Sequence, residues 1–181
     1  MYYTESVIMS EGKEFVLRNP KPEEAAAVLD YLRIVSGETD YMIRLPEEVT
    51  MSVADEESFL QSAVDDPKKT MIGIFLKDRM IGNIGINPIG AQFKLCHRAS
   101  FGIAVVREYW GHGFGKLLLQ EGIKAARDMG YEQLELGVYG SNERARKLYL
   151  SFGFAECGRV PKAFRLPNGT YENEILMTMA L

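Results

Sequence analysis

The 181-residue sequence contains little cysteine and little histidine. These shortages argue against a disulfide-stabilised protein and against a metalloprotein. Two cysteines, Cys96 and Cys157, make neither a disulfide framework nor the paired spacing of a zinc site. Two isolated histidines, His97 and His112, add no metal site, so we expect no metal. The formal net charge of −4 lacks the positive excess of nucleic-acid-binding surfaces, so we expect no nucleic-acid partner. A mildly acidic protein can still take a cationic substrate such as an amine.

Long apolar runs are also missing. No stretch is long enough to cross a bilayer, and the polar, acidic start MYYTESVIMSEGKEF does not have the form of a signal peptide. We therefore expect no membrane partner and, with so few cysteines, a cytoplasmic location. The length suits one domain over residues 1–181, and the chain has no linker, repeat or low-complexity segment.

Hydrophobic periodicity predicts a chain in which helices and strands are mixed. The predicted strands are Glu14–Arg18, Thr70–Leu76, Met80–Ile86, Arg98–Val106, Gln133–Tyr139 and one that starts at Phe154. Helices are predicted over Pro22–Val35, over Glu56–Val64 with Asp55 as its N-cap, after Gly115, and after Asn142. The first thirteen residues show no strong periodicity.

The stretch from Phe101 to Arg127 organises the rest of the chain. An apolar strand pattern leads into Gly111, Gly113 and Gly115, and a helical pattern begins at once. Glycines at a strand-to-helix junction let backbone N–H groups face an anion, so this turn predicts a pyrophosphate site. The G-x-G-x-G spacing is not that of a dinucleotide fingerprint, and no Lys-Ser or Lys-Thr pair makes a P-loop. An ordinary glycine-rich helix cap is the alternative.

A second stretch, from Asn142 to Phe154, predicts a capped helix that ends at Gly153. Its apolar face contains Tyr149 at helical spacing. Most buried tyrosines are amphipathic core residues, and the pattern alone favours that interpretation of Tyr149.

Both stretches resemble signatures of the GCN5-related N-acetyltransferase (GNAT) superfamily. The first signature is usually R/Q-x-x-G-x-G/A, and here it reads Trp110-Gly-His-Gly-Phe-Gly115, with Trp as a departure. The string Tyr-Trp-Gly-x-Gly is similar to the ribosomal-protein-alanine N-acetyltransferase-like subgroup. The second signature, N-x-x-A-x-x-L-Y-x-x-x-G-F, matches at every fixed position from Asn142 to Phe154.

The resemblance implies an α/β (α+β) fold. Its mixed central sheet of about six to seven strands has an antiparallel N-terminal part and a parallel, splayed pair at the coenzyme site, flanked by about four helices. It also implies acetyl-CoA as co-substrate and direct acetyl transfer to a primary amine, either a small molecule or a protein N-terminus. The residues implied to bind the coenzyme are Ile103, Ala104, Val105, Trp110, Gly111, His112, Gly113, Phe114, Gly115, Lys116 and Asn142.

In the catalytic roles, Tyr149 matches the family tyrosine that protonates the leaving thiolate. An N–H near Val105 would stabilise the oxyanion. The general base stays open because Gly137 stands where some related enzymes carry a glutamate. Candidates are Glu135 on the same strand, Glu38 and Asp40 in an early loop, or a chain of waters.

Two other interpretations remain. Trp110 and Gly137, the two departures from the family pattern, are compatible with a non-catalytic acyl-CoA-binding sensor or scaffold. A structural domain with an empty groove is the third. Edge strands in such a fold can pair between subunits, so a homodimer is compatible with any of the three.

Overall fold

One mixed sheet forms the centre of the protein. The computed structural model describes residues 1–10 and 12–181, and within them eight strands follow the order β1-β2-β3-β4-β5-β6-β8-β7. The strands are β1 (Ser6–Ser10), β2 (Lys13–Arg18), β3 (Thr70–Leu76), β4 (Arg79–Pro88), β5 (Arg98–Val105), β6 (Gln133–Tyr139), β7 (Ala155–Arg165) and β8 (Tyr171–Ala180). The helices are α1 (Ala25–Gly37), α2 (Val53–Asp65), α3 (Phe114–Asp128) and α4 (Glu143–Ser151). The predicted mixed sheet with about four helices is confirmed.

The eighth strand is β1, which the sequence did not indicate. It lies at the sheet edge and pairs antiparallel with β2, from Ser6 opposite Leu17 to Ser10 opposite Lys13. Its side chains are exposed or half-buried. An edge strand that buries so little carries little hydrophobic alternation, so its formation depends on the neighbouring strand.

Strand β4 is covered on both faces. Ile84 and Ile86 point toward α3, where they approach the backbone of Gly122. On the opposite face, Asn83 accepts a hydrogen bond from Tyr31 of α1 at 2.9 Å. This burial on both faces explains why β4 is apolar at nearly every position.

The start of α2 differs from the prediction. Ser52, not Asp55, is the N-cap residue, because its hydroxyl accepts the Asp55 N–H at 3.1 Å. The same hydroxyl donates to the Asp55 carboxylate at 2.7 Å. Asp55 therefore lies in the first turn, and the helix begins three residues earlier than its acidic pattern suggested.

The predicted crossover from β5 through α3 to a parallel β6 is confirmed. The two strands pair only at Arg98 with Gln133, Ala99 with Leu134, and Ser100 with Glu135. Beyond Ser100 they separate, while β5 stays paired with β4 as far as Val105. The carboxyl half of β5 therefore has one free edge.

We predict that Gly122→Val lowers the free energy of unfolding by about 1–3 kcal/mol through overpacking. A Cβ on Gly122 would lie 2.4 Å from Cδ1 of Ile84. Gln120→Val, on the exposed face of the same helix, is the control because it introduces the same β-branched side chain where no core packs against it. Urea denaturation measures both, and equal losses in the two variants would contradict close packing at Gly122.

Candidate active site

The separation of β5 and β6 opens a cleft of about 1480 Å³. Residues from β5, the glycine turn, α4, β6 and β8 line it, together with the segment after α1. The cleft exceeds the roughly 300–1000 Å³ of ordinary small-molecule sites, which leaves room for two reactants or one long one.

The free edge of β5 carries the backbone groups of Ile103 and Val105. Val106 N–H donates to the carbonyl of Ile81 on β4 at 2.9 Å. Because backbone direction alternates along an antiparallel strand, Ala104 also faces β4, and Ile103 and Val105 face away from it. All three predicted β5 residues line the cleft, but only two direct backbone groups toward its open side.

The glycine turn connects β5 to α3. Gly111 and Gly113 have φ values of +92° and +84°, which a residue with a side chain rarely adopts. Helix α3 begins at Phe114, and the N–H groups of its first turn have no partner within the helix. Lys116 in this turn also lines the cleft, so backbone donors and a cation lie together here.

Trp110 attaches the turn to the end of β5. Its indole Nε1 donates to the carbonyl of Val105 at 2.6 Å. The guanidinium of Arg144, at the start of α4, lies 5.1 Å from the ring centre, within cation–π range. The Trp that departs from the family signature thus contacts both sides of the cleft entrance.

Tyr149 lies with its ring packed and its hydroxyl open to the cleft. The ring contacts Phe101 and Phe154 at centroid distances of 5.6 and 5.9 Å, and Tyr149 is 7% exposed. Among the described residues, the only buried side-chain polar atom without a partner is Oε2 of Glu56. The Tyr149 hydroxyl makes no hydrogen bond in the same part of the chain, so it must reach the cleft that the residue lines.

Burial raises the pKa of Tyr149 to about 12. The phenol is therefore protonated at every physiological pH. The same shift weakens it as an acid relative to a thiol, whose ordinary pKa is about 8.5. A hydrogen bond donated to a leaving sulfur is the assistance that this environment favours.

Two of the residues predicted to bind the coenzyme, Asn142 and His112, differ in their surroundings. Asn142 lines the cleft, and its side-chain oxygen caps α4 by accepting the Ala145 N–H at 3.2 Å. His112 is exposed in the glycine turn, and its ring Nδ1 lies 3.2 Å from the carbonyl of Trp110.

The three acidic candidates for the base lie outside the lining of the cleft. Glu135 forms a bidentate ion pair with Arg98, with one contact of 2.7 Å, and accepts from Gln133 at 2.9 Å. The Arg98 guanidinium lowers the pKa of Glu135. Glu38 accepts the N–H of Arg107 at 2.7 Å. Glu135 lies where β6 is still paired with β5, so its ion pair with Arg98 links the two strands on the side where they remain hydrogen-bonded.

Four cleft residues were not found from the sequence. The rings of Tyr139 and Phe164 stack with their centroids 3.9 Å apart, and the ring centroid of Tyr41 lies 5.6 Å from that of Tyr139. Glu174 of β8 lines the same end of the cleft. No local motif marks these residues, because strand register and the path of the loop after α1 bring them together.

Comparison with known proteins identifies the family. The model of the acetyltransferase (GNAT) family matches residues 36–154. The alanine N-acetyltransferase of ribosomal protein bS18 from Haemophilus influenzae is 40% identical over 90 residues, which are 50% of this chain and 61% of that protein. This chain therefore spans about three-fifths of the length of that curated relative.

Solved structures agree with this match. A GNAT-family acetyltransferase from Streptococcus pneumoniae superposes with a TM-score of 0.88 at 26% identity, over 92% of this chain and 99% of that one. The Salmonella typhimurium protein yncA, solved with its cofactor acetyl-CoA, has a TM-score of 0.80 at 16% identity over 92% and 94% of the two chains. The chain has the GNAT fold and belongs to the GNAT acetyltransferase family.

In residues 1–10 and 12–181, no helix combines the length and the apolar character needed to cross a membrane. The same residues contain no group of three or more potential metal-ligating side chains.

We predict that Glu135→Gln lowers stability at pH 7 and has little effect below the Glu135 pKa. The Arg98 hydrogen bonds lower that pKa from its ordinary 4.5, so the ion pair stabilises the folded state above 4.5 and loses its contribution as pH falls through the lowered value. Urea denaturation at pH 7 and at a series of pH values falling from 4.5 measures the difference. A loss of the same size at every pH in the series would contradict the ion-pair role.

Proposed function

We propose that this protein is an acetyl-CoA-dependent N-acetyltransferase that transfers an acetyl group directly to a primary amine. The observation that carries the proposal is the cleft itself. It brings the free edge of β5, the glycine turn and the open hydroxyl of Tyr149 into one space. Family membership adds support from an independent direction.

The residues present fit acetyl-CoA. The N–H and C=O groups of Ile103 would pair with amides of the pantetheine arm, as a neighbouring strand would. The Val105 carbonyl already accepts the Trp110 indole N–H. The amides from Gly111 to Lys116 would bind the pyrophosphate at the N-terminus of α3. Lys116, Arg144 and Lys147 line the cleft and supply positive charge for the phosphates. Asn142 lies at the start of α4, next to the coenzyme arm in this arrangement.

Acetyl-CoA, when bound, supplies an activated acetyl thioester. The chain's own residues orient it and stabilise the changing charges. The free N–H of Val105 is aimed to donate to the carbonyl oxygen as negative charge develops there. Tyr149 donates its hydroxyl proton in a hydrogen bond toward the sulfur, and the packed rings around it hold that direction.

For the acceptor, we propose a small amine or a protein N-terminus. The Haemophilus influenzae relative acts on the alanine of ribosomal protein bS18 by its name, which favours testing an N-terminal alanine first. The aromatic side chains of Tyr41, Tyr139 and Phe164 line the same cleft, and Tyr139 contacts both of the other rings. These rings form an apolar surface against which the part of the acceptor beyond its amino group would pack.

We predict that the protein acetylates at least one member of a panel containing an alanine-terminated peptide, free amino acids and polyamines. Labelled acetyl-CoA measures the transfer. Tyr149→Phe should lower kcat by roughly 10²-fold or more, as expected for loss of one hydrogen-bond donor to a developing charge, while coenzyme affinity stays unchanged. Tyr171→Phe, at an exposed tyrosine on β8, is the matched control.

Calorimetry separates the other interpretations. Coenzyme binding without transfer to any amine would favour the acyl-CoA-binding sensor or scaffold. Absence of coenzyme binding would favour a structural domain and would contradict both of the other functions.

We predict that Gly113→Ala weakens coenzyme A binding about tenfold, because forcing a side chain into the left-handed region costs roughly 1–2 kcal/mol and distorts the turn. Gly169→Ala is the matched control. Both glycines have φ of +84° with open space around the missing Cβ, but Gly169 lies in the β7–β8 turn. Calorimetry measures affinity, and equal affinities in the two variants would contradict the pyrophosphate site.

A further inference from the structure

A carboxylate from β8 occupies the space above Gly137. A Cβ built on Gly137 would lie 1.8 Å from Oε1 of Glu174 and 2.7 Å from its Cδ. The Glu174 side chain therefore fills the position where a side chain of residue 137 would begin. This is the position on β6 where some related enzymes carry a glutamate.

Strand register explains this placement. Glu174 lies directly opposite Tyr139 in the antiparallel β6–β8 pair, and Leu176 lies opposite Gly137. Directly opposite residues project from the same face, and diagonal neighbours are within reach of a long side chain. Glu174 reaches diagonally over Gly137 because the glycine leaves that space empty.

Among the described residues, three glutamates line the cleft, and two of these already have hydrogen-bond or ion-pair partners. Glu48 accepts the N–H of Leu45 at 2.8 Å. Glu143 pairs with Lys147 at 3.1 Å. Within residues 1–10 and 12–181, the carboxylate of Glu174 makes neither a hydrogen bond nor an ion pair, so it is free to accept a proton.

The surroundings of Glu174 suit a cationic acceptor. Tyr139 faces it from β6, and Phe164 stacks on that tyrosine. After burial, Asp40, Glu172 and Glu174 together raise the pKa of Tyr139. Negative charge therefore lies near the ring of Tyr139.

We propose that Glu174 is the general base of the acetyl transfer and that it replaces the glutamate absent at Gly137. The proposal rests on the proposed function. The bound ammonium first loses one proton to solvent. The amine nitrogen then uses its lone pair to form the N–C bond, and the proton that this nitrogen sheds passes to the Glu174 carboxylate, directly or through one water. The C–S bond breaks with its electron pair on sulfur, which leaves as a thiolate with a hydrogen bond from Tyr149. Solvent then protonates the thiolate and receives the proton from Glu174.

The first test is Glu174→Gln, which keeps the shape and removes the proton acceptor. The assay uses the alanine-terminated peptide, or the panel amine acetylated fastest, with saturating acetyl-CoA. We expect kcat to fall by at least about 100-fold, as for other general bases, with the dissociation constant of coenzyme A unchanged. Glu132→Gln, at an exposed glutamate just before β6 and outside the cleft lining, should keep wild-type kcat.

The second test moves the carboxylate from one strand to the other. Glu174→Ala should be as slow as Glu174→Gln. Adding Gly137→Glu to Glu174→Ala fills the vacated space from β6 and should recover at least tenfold in kcat. Circular dichroism checks that each variant is folded, and calorimetry checks that it binds coenzyme A.

The outcomes separate the two proposals. If wild-type protein acetylates an amine and Glu174→Gln does so within threefold of that rate, Glu174 is not the base and the proposed function stands. If wild-type protein acetylates nothing in the panel, the proposed function fails and this inference falls with it. A slow Glu174→Gln that Gly137→Glu does not rescue in the Glu174→Ala background would indicate a structural role and overturn the base assignment.

Discussion

The separation of β5 from β6 after Ser100 is the constraint on which the site depends. Buried backbone groups in a sheet are almost always paired, so a strand edge left free in a cleft needs a local cause. At the closed end, the ion pair of Arg98 with Glu135 holds the strands together. At the open end, Trp110 satisfies the carbonyl of Val105 with its indole N–H. The remaining free groups are available to a ligand that resembles a strand.

The opposite edge of β5 is rigid by comparison. The Tyr31 hydroxyl lies 2.9 Å from the side-chain oxygen of Asn83 and 3.0 Å from the carbonyl of Ala104, so one group braces β4 and β5 together. Burial raises the pKa of Tyr31, so this hydroxyl stays protonated and keeps its ability to donate. A strand held in this way can bind a ligand along its free edge without first reorganising. No binding free energy is then lost in ordering the strand.

Sequence and structure agree most closely where local patterns carry the information. The β3–β4 hairpin, the crossover through α3, the glycine turn and the cap at Asn142 follow from spacing and residue type within short segments. The sequence missed β1 because an exposed edge strand needs no alternation, and it misplaced the α2 cap because Ser52 and Asp55 are both good capping residues. The sheet therefore has eight strands where about six to seven were expected.

The sequence by itself determined the glycine turn, the helix that carries Tyr149 and the order of the elements between them, because each depends on residues close in the chain. Tertiary structure decided which carboxylates face the cleft. Glu135 lies on the predicted strand yet turns to Arg98, whereas Glu174 reaches the space above Gly137 from a strand 37 residues further along the chain. Cross-strand register and the missing side chain of one glycine set that outcome, and neither is visible in a local pattern.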